Sequence, residues 1–329
     1  MTSTNTKIND SISVVIATYN GSDFIKYQIE SILNGTIIPF EIIIVDDNSK
    51  DNTLEIIKGF SCSNIKIFRN SENIGPHETF KRAIKLATGK YIAPCDQDDI
   101  WESNHLELLY DIIKDDKYDL VFGQDRIMYE DGEIKNQTLR FNGIEKIIFG
   151  NNIPGHLQMF SQKCKEVYEI APSVTFDWGT VLYAAANKGI NSIDAIICTW
   201  RRHKNVVTTA YTKKYNKYGI LSKGKYYKTF YTMFQLLKGI KSKEIERTMH
   251  NNFLILDKYT VGNKMLNDYA KVCKYLSTQN ILFFVYAAII YTRNATVSNY
   301  KFRDRIASLI YAFCYPFVWW YDYHTHTSL

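Results

Sequence analysis

The sequence has no CxxC pair: its six cysteines (Cys62, Cys95, Cys164, Cys198, Cys273 and Cys314) are scattered singly along the chain. That spacing argues against a zinc site and against a disulfide framework, and makes a reducing cytoplasm the expected setting. The first eleven residues, MTSTNTKINDS, are polar and lack the apolar core of a secretory leader. There is no GxxxxGK[ST], and Thr88-Gly89-Lys90 runs into a strand rather than a helix, so a P-loop is excluded. No GxGxxG follows the first strand, which speaks against a Rossmann dinucleotide site. GxSxG and HExxH are also missing, and with them the signatures of α/β-hydrolases and zincins. No internal repeat, low-complexity tract or flexible linker interrupts the chain.

What is present suits a globular protein. The 329 residues are 46% hydrophobic and 22% charged, enough for one large domain or two ordinary ones. The net charge of +6 conceals an asymmetry. Residues 1–209 hold 22 Lys+Arg against 28 Asp+Glu, whereas 210–329 hold 18 against 6, so the balances are −6 and +12. The second region is therefore expected to meet an anionic partner or to carry a well-solvated helical surface.

The first hundred residues alternate between strand and helix patterns. ISVVIAT (Ile12–Thr18) is a continuous β-branched run, as in a strand buried on both faces. Helix Asp23–Leu33, strand Glu41–Val45, helix Asp51–Phe60, strand Ile65–Arg69, helix Pro76–Ala87 and strand Lys90–Cys95 follow. Ser49 and Asp51 precede the second helix, and proline opens the third. Such alternation predicts an α/β fold with a mainly parallel sheet, whose ligands lie outside the carboxyl ends of the strands. Each strand empties there into a polar group: Thr18-Tyr19-Asn20, Asp46-Asp47-Asn48-Ser49, Arg69-Asn70 and Asp96-Gln97-Asp98-Asp99. A helix over Glu102–Lys114, a strand over Leu120–Gln124 and a helix near Asp177–Lys188 are expected further on.

APCDQDDIW (93–101) packs three carboxylates into four residues, and such a cluster needs a positive partner. A divalent cation answers that need: oxygen ligands suit Mg²⁺ or Mn²⁺, which keep waters and bridge to phosphates. An EF-hand is excluded, since the loop lacks alternating ligands and the turn glycine. The plainer reading makes Asp98 and Asp99 the cap of a helix starting near Trp101, although a cap needs one carboxylate rather than three.

These segments resemble the inverting nucleotide-sugar glycosyltransferases of family 2, which have the GT-A fold. VVIATYN resembles the family's opening strand and Thr-Tyr-Asn turn, IIIVDDNSKDNT its Val-Asp-Asp-x-Ser segment and NSENIG its Asn-x-Gly loop. GKYIAPCDQDDIW resembles its Asp-x-Asp strand, in a DQDD-x-W form like that of rhamnosyltransferase-type members. The resemblance covers about residues 11–210. It implies that Thr18, Tyr19 and Asn20 line the donor site. There Thr18 and Tyr19 meet the base, and an acid of the Asp46-Asp47 pair binds a ring nitrogen of it. Asn73 and Gly75 belong to the same site, Asp96 lies near the ribose and Asp98 ligates the Mn²⁺ or Mg²⁺. Asp177, in TFDWGTVLYAAANKG, would be the base that deprotonates the acceptor; its plain reading is the N-cap of the following helix. Phe176 stands where similar members carry His or Glu, and Thr79 where they carry Asn. Thr199-Trp200-Arg201-Arg202-His203 resembles the family's Tyr-Arg-x-His segment, with Arg201 and Arg202 on the diphosphate and His203 as a further metal ligand. His156, in Pro154-Gly155-His156, is a candidate on the acceptor side.

The implied organisation is a GT-A domain at 1–209, with a donor half at about 11–125 and an acceptor half at 126–209. A basic, aromatic-rich helical region follows at 210–329. In that region Tyr275–Thr292 has 18 residues without a charge, and Ile306–Tyr321 has 16 with Pro316 among them. Both are short for a membrane span and suit interfacial helices on an anionic leaflet, on the inner face of the cell membrane, or else an oligomer contact. The implied activity is transfer of a sugar from a dTDP- or UDP-linked donor, dTDP-rhamnose first and a UDP-hexose second. The acceptor would be a glycan or lipid-linked glycan of a bacterial surface polysaccharide. A non-catalytic sugar-nucleotide-binding relative is one alternative. Nucleic-acid binding through the Lys/Tyr-rich 211–231 is another, and the acidic rim opposes it.

Overall fold

The computed structural model describes residues 7–141, 143–203, 225–294 and 313–320, with the side chains of 7–10 and 225–228 excepted. The 209/210 boundary, residues 211–224 of the Lys/Tyr-rich stretch, and 306–312 and 321 of the last apolar run lie outside the described residues. The chain forms two compact units. One takes residues 1–141, 151–169 and 175–204, and the other 142–150, 170–174 and 205–329.

The first unit is built on one mixed sheet. Strands β1 (Lys7–Thr18), β2 (Ile37–Asp46), β3 (Ile65–Arg69) and β4 (Tyr91–Cys95) are parallel to one another. Helices α1 (Ile25–Leu33), α2 (Thr53–Lys58) and α3 (Pro76–Leu86) connect them. Val14, Val15, Ile16, Ile42, Ile43, Ile44 and Val45 are all buried, which is why these strands read as unbroken apolar runs. Each such side chain contributes about 2 kcal/mol of apolar burial.

Beyond β4 the sheet becomes mixed. After β5 (Ile100–Trp101) and α4 (His105–Ile113), β6 (Leu120–Met128) and β7 (Ile134–Asn136) form an antiparallel pair. β8 (Gln158–Ser161) then slots antiparallel between β4 and β6, and β9 (Ile190–Arg201) runs parallel to β6 and antiparallel to β5. Short α5 (Ile144–Ile147) and α6 (Val167–Ile170) precede α7 (Phe176–Ala186). The helix expected over Glu102–Lys114 is present as α4, but it begins four residues beyond Trp101. Asp98 and Asp99 lead into β5, and the helix begins at His105 after Asn104, so these carboxylates do not cap it. Trp101 instead pairs across to Cys198 and stacks on His105, ring centroids 3.7 Å apart.

The second unit contains helices Lys225–Leu237, Lys243–Lys258, Lys264–Ser277 and Ile281–Asn294. The long apolar stretch is broken by Gln279, whose φ is +49°, and its apolar part becomes the helix Ile281–Asn294. That helix buries Phe284, Ala287, Ala288 and Tyr291 on one face and exposes Leu282, Phe283, Tyr286 and Ile289. Phe230, Phe234 and Leu237 are likewise exposed along Lys225–Leu237. Among the described residues no helix is long and apolar enough to cross a membrane.

At the amino end of the sheet, buried Glu41 accepts hydrogen bonds from Ser13 Oγ (2.6 Å) and from Thr88 N–H (2.7 Å) and Oγ1 (3.0 Å). It also pairs with Lys66 Nζ at 2.7 Å. Thr88-Gly89-Lys90 is thus a turn fastened to a carboxylate. Burial alone would raise the Glu41 pKa, but Lys66, Ser13 and Thr88 outweigh it and bring the value from 4.5 down to about 2. A carboxyl depressed in the folded state stabilises fully above its unfolded value and loses that contribution as the pH falls through the folded one. Glu41→Gln is therefore expected to cost about 2 kcal/mol at neutral pH in urea unfolding. The gap to wild type should shrink between pH 4.5 and about 2. A gap independent of pH would contradict the ion-pair account.

Candidate active site

Register brings the strand ends together. Thr18 lies opposite Asp46, Asp46 opposite Arg69, and Ile16 opposite Cys95, the residue before Asp96. Two rim turns are then laced to one another. Asn20, at φ +47°, donates its N–H to Ser49 Oγ (2.9 Å) and accepts Lys50 N–H on Oδ1 (2.9 Å). Gly21 N–H reaches Thr53 Oγ1 (2.8 Å), and Ser22 N–H reaches Asp51 Oδ2 (3.1 Å). Gln97 clips the acidic loop to the first turn. Its Oε1 accepts from Thr18 Oγ1 (2.6 Å) and Tyr19 N–H (2.9 Å), while its Nε2 donates to the Tyr19 carbonyl (3.2 Å). Thr18 is buried beneath the rim, whereas Tyr19 is 42% exposed.

The Asp46-Asp47 pair divides its work. Asp47 Oδ1 accepts from Asn70 Nδ2 (2.7 Å) and Ile74 N–H (2.9 Å), and its Oδ2 accepts from Gly75 N–H (2.9 Å). It thereby shapes the NSENIG loop, in which Asn73 is exposed and Gly75 adopts φ +86° ahead of α3. Thr79, at the position that departs from the family pattern, accepts from Asn70 Nδ2 at 3.0 Å under the same loop. Asp46 Oδ2 accepts from Ser49 N–H (3.0 Å) and lies 3.3 Å from Arg69 Nε, while its Oδ1 is buried without a hydrogen-bond partner.

The acidic loop splits between solvent and core. Asp96 and Asp98 are half-buried, and Asp99 is fully buried. Asp98 Oδ2 lies 3.0 Å from His203 Nε2, and the imidazole stacks on Phe24 at 4.4 Å. Burial and then the neighbouring Asp96 carboxylate raise the Asp98 pKa against the pull of His203. Arg201 serves the loop's backbone. Its Nε donates to the Asp98 carbonyl (2.6 Å) and Nη2 to that of Asp99 (3.3 Å), with the guanidinium 4.8 Å from the Phe24 ring centre. The Arg202 guanidinium stacks over Trp200 at 4.0 Å. Asp98 and His203, a hard oxygen and an imidazole nitrogen at the edge of the loop, form a donor pair that suits a divalent cation.

Asp177 sits inside the first turn of α7 rather than at its cap, which is Thr175. Its carboxylate accepts from Asn151 Nδ2 at 3.0 Å. Its carbonyl accepts from Thr180 Oγ1 (2.8 Å) and from Gln158 Nε2 (3.4 Å). Phe176 stacks on Phe80 at 4.2 Å, and a Cβ placed on Gly155 would lie 2.5 Å from its ring and 3.5 Å from Asp177 Cβ. The Phe176 departure thus fills an apolar niche. His156, next to Gly155, is buried, with Nδ1 3.3 Å from Asp96 Oδ2, so one short turn links Asp177 to the acidic loop.

Several residues in this arrangement are invisible to sequence reading. Asn151 and Gln97 carry no motif signal beyond polarity, and Asp125 reads as the tail of a strand. Among the described residues, Asp99, His156 and Cys198 are the three metal-capable side chains whose ligand atoms converge, within 4.8 Å of one another, and all three are buried.

Residues 13–176 match the description Glycosyl transferase family 2. An Escherichia coli protein named UDP-Glc:alpha-D-GlcNAc-diphosphoundecaprenol beta-1,3-glucosyltransferase WfgD is 32% identical over 117 residues, 36% of this chain and 46% of that protein. The Borreliella burgdorferi cholesterol galactosyltransferase is 34% identical over 130 residues, 39% of this chain and 36% of that one. The chain thus spans about half, or less, of the length of the curated relatives it matches. The crystal structure of S. aureus TarS 1-349 in complex with UDP-GlcNAc aligns with a TM-score of 0.50 at 15% identity, over 90% of this chain and 95% of that one. The fold is accordingly GT-A-like: a mixed sheet flanked by helices, followed by a helical C-terminal region.

A Cβ on Gly21 would lie 2.3 Å from Gln97 Oε1. Gly21→Ala is therefore expected to open the Gln97 clip and to lower hydrogen-exchange protection of the Tyr19 amide by about tenfold. Unchanged protection would show that the clip does not hold the turn.

Proposed function

Residues 13–176 are a glycosyl transferase family 2 domain, and from that premise we propose that the chain is a metal-dependent, inverting glycosyltransferase. It would transfer a hexosyl unit from a nucleoside diphosphate sugar to a hydroxyl of a glycan or lipid-linked glycan, in surface-polysaccharide assembly. The observation that carries this reading is a convergence. Exposed Tyr19, half-buried Asp96, the Asp98–His203 pair and Asp177 are tied together by the Gln97 clip and the Gly155-His156 turn.

In this reading Tyr19 offers its ring to the base. Of the acid pair, Asp46 keeps an oxygen without a hydrogen-bond partner for a ring N–H, since Asp47 is committed to the Asn73–Gly75 loop. Asp96 takes the ribose side, and Arg202 answers the diphosphate while Arg201 clamps the loop. Asp98 and His203, 3.0 Å apart, would hold Mn²⁺ or Mg²⁺, which when bound would neutralise the diphosphate. Asp177, oriented by Asn151, removes the proton from the acceptor hydroxyl. That oxygen forms its bond to the anomeric carbon as the bond to the diphosphate breaks, so the configuration inverts once and no covalent intermediate forms.

Relatives named for UDP-glucose and galactose transfer favour a UDP-hexose over the dTDP-rhamnose suggested by the DQDD-x-W segment. A relative named for a diphosphoundecaprenol-linked acceptor supports a lipid-linked one. Exposed Phe230, Phe234, Leu237, Leu282 and Tyr286, together with the +12 balance of 210–329, support peripheral contact with an anionic leaflet.

Release of nucleoside diphosphate from UDP-glucose, UDP-galactose and dTDP-rhamnose, with and without Mn²⁺, tests the central reading. Asp98→Ala should abolish the metal-supported turnover. Asp177→Asn should lower turnover by about a thousandfold while sparing donor affinity in calorimetry. Wild-type turnover in Asp177→Asn would remove that residue from the mechanism. For the membrane contact, the chain should float with phosphatidylglycerol vesicles, and Phe230→Ser/Leu282→Ser should weaken flotation severalfold. Equal flotation of that variant would direct attention to another surface.

A further inference from the structure

We propose that His156 is the internal counter-cation of the acidic loop, a positioning residue that holds Asp96 and Asp99 against Asp125 so that the donor site is formed before any ligand arrives. The geometry stands by itself; its consequence for donor binding rests on the function proposed above.

His156 lies in the tight turn Gly155–Leu157 that feeds β8, and it is buried. Its Nδ1 is 3.3 Å from Asp96 Oδ2 and 3.9 Å from Asp99 Oδ2, and its Nε2 is 3.6 Å from Asp125 Oδ2. Both ring nitrogens therefore face carboxylate oxygens. A neutral imidazole bears a lone pair on one nitrogen and would aim it at an anion, whereas imidazolium presents an N–H on each. Asp99 and Asp125 are fully buried; burial raises the Asp99 pKa well above its ordinary value against the pull of His156, and a buried carboxylate ionised without a cation would cost several kcal/mol.

Other cations nearby are engaged elsewhere. The Arg201 guanidinium is directed to the carbonyls of Asp98 and Asp99, and only its backbone N–H reaches the Asp99 carboxylate, at 3.3 Å. His105 is neutral: burial lowers its pKa to about 3, and its Nδ1 lies 2.9 Å from the Ile197 carbonyl. Among the described residues, the ion pairs that Asp96, Asp99 and Asp125 make within 4.0 Å run to His156. Also at the cluster are the Gln137 amide, whose Nε2 donates to Asp125 Oδ2 at 3.5 Å, the Cys198 thiol and the Trp200 ring, 6.0 Å from the imidazole. Burial and then Asp99 raise the Cys198 pKa. Burial lowers the His156 pKa, but Asp99, Asp125 and Asp96 overcome it and raise the value well above that of a free imidazole.

The position of this charge gives it leverage. Asp99 belongs to the loop after β4 and Asp125 to β6, while the turn itself packs through Gly155 against Phe176 beside Asp177. One imidazolium thus joins the donor loop, the middle of the sheet and the element bearing the proposed base.

The test uses the full chain as wild type, His156→Gln, His156→Gln/Asp99→Asn and His156→Gln/Asp125→Asn. The readouts are urea unfolding, calorimetric UDP binding and nitrogen-15 spectroscopy of the imidazole ring. His156→Gln should weaken UDP binding by about tenfold or more and lower stability. Either double variant should recover at least about threefold of the binding and part of the stability, because it removes the surplus negative charge. In wild type both His156 ring nitrogens should carry protons at about pH 8. Double variants no better than His156→Gln in either readout would overturn the proposal. So would a lone-pair nitrogen on the wild-type ring, or stoichiometric zinc in wild type that His156→Gln loses. If wild type bound no UDP, the functional reading would fail by itself, and unfolding with the ring spectra would still decide the role of His156. If His156→Gln did not fold, the wild-type ring spectrum and the folded double variants would decide it.

Discussion

The first unit depends on how it tolerates five carboxylates at one rim: Asp46, Asp47, Asp96, Asp98 and Asp99. Parallel strands that end level with one another bring Thr18, Asp46 and Arg69 into register, so the negative groups cannot disperse. Each has its own compensation. Asp47 collects backbone N–H groups from the loop before α3, Asp46 leans on Arg69, Asp98 on His203, and Asp96 and Asp99 face His156. Removing the partner of Asp46 or Asp99, which are fully buried, would leave a desolvated charge, so these positions depend on their partners most.

Around these charges, neutral amides set the geometry. Gln97 ties the acidic loop to the first turn, and Asn151 orients the Asp177 carboxylate. Amides suit this work because each presents both a donor and an acceptor without adding charge to a crowded site. The packing is correspondingly tight: Gly21 makes room for Gln97, and Gly155 for the Phe176 ring. The departure at Phe176 is thereby explained as packing against Phe80 rather than as a change at the Asp177 carboxylate.

The second unit obeys a different constraint. Its helix Ile281–Asn294 is apolar on both faces, but only Phe284, Ala287, Ala288 and Tyr291 are buried. Phe230, Phe234 and Leu237 repeat the pattern on Lys225–Leu237. Exposed apolar stripes in a strongly basic region are the physical basis for the leaflet contact proposed here.

Local pattern was enough to read the parallel half of the sheet, its connecting helices and the meeting of the strand ends. A strand buried on both faces has to be apolar throughout, and every βα unit returns the chain to the same edge. The acidic run at 96–99 was legible for the same reason, as polar residues placed where an apolar strand ends, whereas Asp177 was singled out by the family resemblance alone. Tertiary structure alone decided the rest. β8 is four residues long, and nothing within it says that it will lie between β4 and β6. Once it does, His156 is drawn beneath the loop from some sixty residues away and becomes its counter-charge, and Asp99 turns inward instead of capping a helix. Which carboxylates stay in the open and which are buried against a cation is a matter of long-range pairing, and local propensity has no access to it.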